Sequence, residues 1–104
     1  MSTKKKMYGL KDLEKKFGKL TVGEVLWSWR KSEDISQKDF AKKIKISPAN
    51  LCDIEKGRKG VSPEKAHEIA LIIGYSTTVL VKLAIQEQLQ ASGLNYDVEL
   101  KAVV

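Results

Sequence analysis

Cysteine is nearly absent from this chain: Cys52 is the only one in 104 residues. No internal disulfide can form, which suits a reducing cytoplasm. Histidine is as scarce, and His67 has no second histidine or further cysteine with which to share a metal. No glycine-rich phosphate loop is present, and one Cys with one His assembles no nucleophile–base pair. An enzyme is therefore not expected, and no cofactor or metal is implied. No apolar run approaches the roughly 20 residues that a membrane span needs. The opening MSTKKKMYG carries charge with no apolar core behind it, so it does not read as a secretory signal.

What the chain does have is positive charge, unevenly spread. The formal net charge is +6. Seven lysines fall within residues 1–21 against only Asp12 and Glu14, whereas residues 62–104 hold three basic and five acidic side chains. A basic front half with a slightly acidic back half fits a polyanion on one side of the molecule. The plainer alternative is a solvated lysine-rich tail at Lys4–Lys6 on an ordinary surface. With 42% hydrophobic residues, the chain can bury a core without staples.

The strongest local signal is a repeated helix start. A small oxygen-bearing residue can cap a helix by accepting from an orphan backbone N–H. An apolar residue just before it packs on the fourth residue after it. The pattern occurs at Leu20-Thr21 with Val25, Ile35-Ser36 with Phe40, Ile46-Ser47 with Leu51, Val61-Ser62 with Ala66, and Tyr75-Ser76 with Leu80. Thr21 with Glu24 makes a full capping box, and Ser36 with Asp39 a weaker one. The two prolines, Pro48 and Pro63, stand at first helical positions, where a missing N–H does little harm. Gly57 and Gly74 follow periodic runs and suit left-handed helix ends.

The spacing predicts helices near 22–31, 37–44, 48–55, 63–73 and 77–91, with a weaker short helix over LKDLEKKF. The fold class is all-α, a bundle of five helices. Apolar stripes run through Val22, Val25, Leu26 and Trp29, then Phe40, Ala41 and Ile44, then Leu51 and Ile54, then Ala66, Ile69, Ala70 and Ile73. Trp27, two residues from Trp29, faces another side and is expected against the N-terminal helix. Cys52 is expected as a half-buried filler and His67 at a helix surface. YDVELKA alternates like a short β-strand, and a lone strand must fray or pair. The helix over 77–91 is apolar on more than one face, which predicts a second apolar contact. A symmetric homodimer through that helix and the strand supplies one. Folding of the strand back onto its own chain is the alternative.

Only KIS separates the second and third helices, the spacing of a helix-turn-helix. The run ISQKDFAKKIKISPANLCDIEKGRKGVSPEKAHEIALIIGYS resembles the Cro/C1-type helix-turn-helix family of bacterial and phage regulators. Ser36-Gln37, Ala41, Ile44, Ile46-Ser47, Leu51, Ile54-Glu55, Gly57, Ser62-Pro63 and Gly74 carry the match. The flanks, LEKKFGKLTVGEVLWSWR and the segment from Ser76 onward, are similar to HigA-type antidotes of toxin–antitoxin modules. The resemblance implies a basic N-terminal segment at 1–20, a DNA-binding domain at 21–76 and a dimerisation helix with a strand at 77–104. It also implies a cytoplasmic, nucleoid-associated repressor of its own operon, with double-stranded operator DNA as partner and a cognate ribonuclease-type toxin as a candidate second partner.

By position in that family, Pro48, Ala49, Asn50 and Asp53 face base edges. Gln37, Ser47, Lys56, Arg58 and Lys59 hold phosphates, with Gln37 also bracing the third helix and Glu55 bracing the scaffold. Asn50 can then pair with adenine, Asp53 can accept from the cytosine amino group, and Ala49 or Pro48 can meet a thymine methyl. So sparse a face predicts modest discrimination, and a dimer reading two half-sites roughly 34–36 Å apart. Asp53 has a second reading, an ion pair with Lys56 three residues on. The family often has glycine where this chain has Lys45. Either a left-handed lysine costs about 1–2 kcal/mol there, or the turn differs.

Overall fold

The computed structural model describes residues 20–103. The expected helix over 10–17 and the lysines at 4–6 lie outside them. Five helices follow in order: α1 (Val22–Ser32), α2 (Gln37–Lys43), α3 (Pro48–Glu55), α4 (Pro63–Ile73) and α5 (Thr77–Ala91). All regular structure among the described residues is helical.

The helix starts are where the small oxygen-bearing residues put them. Thr21, Ser36, Ser47, Ser62 and Ser76 are the N-caps, and each side-chain oxygen accepts from the backbone N–H three residues on. Thr21 completes its capping box by donating its own N–H to Glu24 Oε1 at 2.9 Å. The apolar residue ahead of every cap is buried or half-buried. Each such cap contributes roughly 0.5–2 kcal/mol.

The helix ends share a second device. Each of the five is followed by a residue with positive φ: Asp34, Lys45, Gly57, Gly74 and Gly93. The next N–H then reaches back five residues, from Ile35 to Arg30, Ile46 to Ala41, Arg58 to Asp53, Tyr75 to Ala70 and Leu94 to Leu89. This reversal satisfies carbonyls that the helix leaves without partners. Lys45, at φ 65°, holds the turn geometry that a glycine would adopt at no steric cost.

Two compact units are present, residues 20–59 and residues 60–103. In the first, α3 packs on both α1 and α2. Val22, Val25, Leu26, Phe40, Ala41, Ile44, Leu51 and Ile54 are buried. Trp29 is only half-buried, and it stacks on Phe40 with ring centroids 5.2 Å apart. Trp27 is also half-buried and lies under the Lys31 ammonium, 5.8 Å from the ring centroid. Gly23 marks the closest approach, because a Cβ there would stand 1.9 Å from the carbonyl oxygen of Ile54.

In the second unit α4 packs on α5. Ala66, Ile69, Ala70 and Ile73 of α4 and Leu80 and Ala84 of α5 are buried. His67 is exposed, at the helix surface. The YDVELKA segment differs from expectation: residues 94–103 form no strand. A strand needs a backbone partner, and here a side chain takes that place. The buried amide of Gln86 donates to the Tyr96 carbonyl and accepts from the Val98 N–H at 3.2 Å. The segment thus folds back onto α5 of its own chain, and Val98 and Leu100 are half-buried while Asp97 and Glu99 stay exposed.

Two substitutions test these contacts. Gly23→Ala forces a methyl group into the Ile54 carbonyl, so it should cost about 1–3 kcal/mol and lower the thermal midpoint by on the order of 10 °C. Lys45→Gly should act in the opposite direction. Relief of the left-handed side chain, about 1–2 kcal/mol, exceeds glycine's extra entropy cost of roughly 0.5–1 kcal/mol, and the midpoint should rise by a few degrees.

Candidate nucleic-acid interface

The α2–turn–α3 unit follows from the two local devices just described. Lys45 reverses the chain, Ile46 returns its N–H to Ala41 at 3.0 Å, and Ser47 at once caps the next helix. Ala41 is fully buried, small where α3 meets α2. Leu51 and Ile54 anchor α3 from inside. The front of α3 is therefore left outward. Ser47, Pro48 and Ala49 are exposed, and Asn50, Cys52 and Asp53 are half-buried. Lys56, Arg58 and Lys59 follow, all exposed.

What aims this front is a buried carboxylate at the other end of α3. Glu55 Oε2 accepts from Arg30 Nε at 2.8 Å, and Oε1 accepts from Arg30 Nη2 at 2.9 Å. Oε1 also accepts from Gln37 Nε2 at 2.8 Å. Arg30 Nη1 donates in turn to the Ile35 carbonyl at 3.1 Å. The side chains of Arg30 and Glu55 are only 10% and 3% exposed. One carboxylate thus ties α1, the α1–α2 loop, the first residue of α2 and the last residue of α3. A bidentate fork of this kind fixes direction as well as distance.

Arg30 went unnoticed in the sequence as a functional residue. Its signal was the stripe it continues, four residues after Leu26 and eight after Val22. A charged residue on a buried stripe demands a buried partner. Gln37, expected to meet a phosphate and to brace α3, places one amide N–H on Glu55 and keeps a second. Ser47 uses its oxygen to accept from the Asn50 N–H at 3.1 Å, which leaves its hydroxyl hydrogen to donate.

The remaining polar groups at the front are linked in pairs. Lys59 Nζ donates to Asn50 Oδ1 at 2.7 Å. Arg58 Nη1 lies 3.3 Å from Asp53 Oδ1. Asp53 therefore takes Arg58 as its ion partner, five residues on, where Lys56 at three residues on had been one of the expected partners. Backbone geometry explains the choice. Gly57 at φ 79° turns the chain, and the Arg58 N–H meets the Asp53 carbonyl at 2.8 Å. Lys56, by contrast, caps α3 along its axis, with its N–H on the Cys52 and Ile54 carbonyls.

The Helix-turn-helix family model matches residues 28–80, just over half of the chain. No curated protein and no solved structure matches it. Among the described residues no group of side chains could hold a metal ion, and no helix is long and apolar enough to cross a membrane.

The brace makes a clear expectation. Arg30→Met strands the Glu55 carboxylate in a nearly closed site and should cost about 3–5 kcal/mol in chemical denaturation. The double variant Arg30→Met/Glu55→Leu should regain much of that loss, because two apolar side chains leave no unpaired charge.

Proposed function

The chain belongs to the Cro/C1-type helix-turn-helix family of DNA-binding transcription regulators, and on that footing we propose that it is a sequence-specific repressor acting as a homodimer. The observation that carries this is the outward front of α3, held in direction by the Glu55 brace while its small residues leave room for base edges. Pro48, Ala49, Asn50 and Asp53 form the surface offered to the major groove. Ser47, Lys56 and the second amide hydrogen of Gln37 meet phosphates, and the charges of Arg58 and Lys59 add to the attraction. Phosphate contacts supply most affinity without reading sequence, and base edges supply discrimination.

A single α3 spans too few base pairs for operator selectivity, so two copies are needed. The second unit offers apolar side chains for such an assembly: Leu71, Leu94 and Tyr96 are exposed, and Val103 is 97% exposed. The same surface supports a second, finer reading, in which the chain is the antitoxin of a toxin–antitoxin module and represses its own operon. The flanks' similarity to HigA-type antidotes motivates this reading, and a protein partner would cover apolar groups that water now meets. Both roles place the protein at the nucleoid in the bacterial cytoplasm.

Salt titration tests the DNA role. A dimer that neutralises about six to eight phosphates should lose log affinity against log salt with a slope of about −5 to −7. Fluorescence anisotropy with a labelled duplex measures it. A slope near zero, or no duplex binding at low salt, sinks the reading. Sedimentation at micromolar concentration checks the homodimer, and a monomer there counts against it.

A further inference from the structure

The front of α3 bears no arginine, lysine or glutamine of its own, yet two cations reach it. Gly57 reverses the chain at the end of α3, and the Arg58 backbone is pinned to the Asp53 carbonyl. From there Arg58 returns its guanidinium to the Asp53 carboxylate, and Lys59 returns its ammonium to the Asn50 carbonyl oxygen. These two links change what each residue can offer a base. Adenine asks its reader for one acceptor and one donor, at N6 and N7. Asn50 Oδ1 is the acceptor in that pair, and it already holds an ammonium at 2.7 Å. A second donor brought to this oxygen meets the positive charge. One lone pair of that oxygen remains beside the ammonium, so what Asn50 and Lys59 present together is mainly donors, the amide N–H groups and the rest of the ammonium. Asp53 is altered in the same way. One oxygen of its carboxylate, Oδ1, holds Arg58 at 3.3 Å, so a guanidinium stands beside the group that alone would accept from a cytosine amino group. The Arg58 side chain is 64% exposed and keeps its other N–H groups for an external acceptor.

We infer that Arg58 and Lys59 are specificity-determining residues, held by Asp53 and Asn50 as two donor arrays that select guanine in each half-site. Guanine is the base that sets two acceptors, N7 and O6, side by side in the major groove. This assignment rests on the DNA-reading role proposed above. It replaces adenine and cytosine, the partners that Asn50 and Asp53 would take as free side chains. It also separates the three cations that follow the front of α3: Lys56 stays a backbone contact, whereas Arg58 and Lys59 read. The pairing also removes the repulsion that an uncompensated Asp53 would meet in the groove.

The experiment uses the full chain. Binding sites are selected from a random duplex library with the wild type, Lys59→Ala and Arg58→Ala. Both side chains are exposed, and thermal melts check that the variants fold. The wild-type site should contain guanines at which 7-deazaguanine, which lacks the N7 acceptor, lowers affinity about tenfold. Inosine, which lacks only the minor-groove amino group, should have no such effect. Lys59→Ala should be indifferent to 7-deazaguanine at one of these positions and Arg58→Ala at another, and each variant should lose its base preference there. The inference is overturned if both variants weaken all sequences by one common factor with the consensus unchanged. Arg58 and Lys59 are then phosphate contacts, and the repressor reading stands without them. A wild-type selection that returns no consensus removes the sequence-specific reading itself, and this inference with it.

Discussion

The first unit depends on one buried carboxylate. Glu55 closes α3, and its two oxygens receive three donors from α1 and α2. An isolated ion pair at such depth adds little net stability, because desolvation offsets the Coulombic gain. Its consequence is directional. Apolar contacts among Leu26, Phe40, Leu51 and Ile54 would tolerate a small rotation of α3, whereas a bidentate fork would not. The front of α3 lies opposite this anchor, so the direction in which Asn50 and Asp53 face is inherited from Arg30 and Gln37. The contact of Gly23 with the Ile54 carbonyl sets the distance at which the fork can close.

The ends of the helices contribute the second constraint. A residue at positive φ sends the chain back along the helix it has just left, and at α3 this returns Arg58 and Lys59 toward the exposed front. A polar face that looks weakly equipped for an anionic partner is thereby given its charge from the loop. The same device at α2 uses lysine in place of glycine and still produces the turn that aims Ser47. In the second unit Gln86 plays a related part, its amide standing in for the strand that the C-terminal segment lacks.

Much of the fold was legible because its signals are local. Each N-cap oxygen, the residue before it and the turn after it act over a few residues, so the starts at Thr21, Ser36, Ser47, Ser62 and Ser76 could be placed from spacing alone. The exposed front of α3 was legible too, since Leu51 and Ile54 leave only one face free. The pairing of that front was not. Asn50 meets a lysine nine residues on, and Asp53 prefers an arginine at five residues to a lysine at three, because the reversal at Gly57 lies between them. The strand period of YDVELKA is real as an alternation of burial, but pattern alone names no partner, and a buried glutamine on α5 supplied one.

The amino-acid sequence by itself determined where five helices begin, nearly where they end, and which faces are apolar. These are matters of neighbouring residues, dictated by caps, φ preferences and a period of 3.6. Only the tertiary structure decided that Arg30 and Glu55, 25 residues apart, share one closed site. It also decided that Arg58 and Lys59 lie on the polar front of α3. Charge pairs are chosen by distance and burial, and neither is defined until the helices have packed.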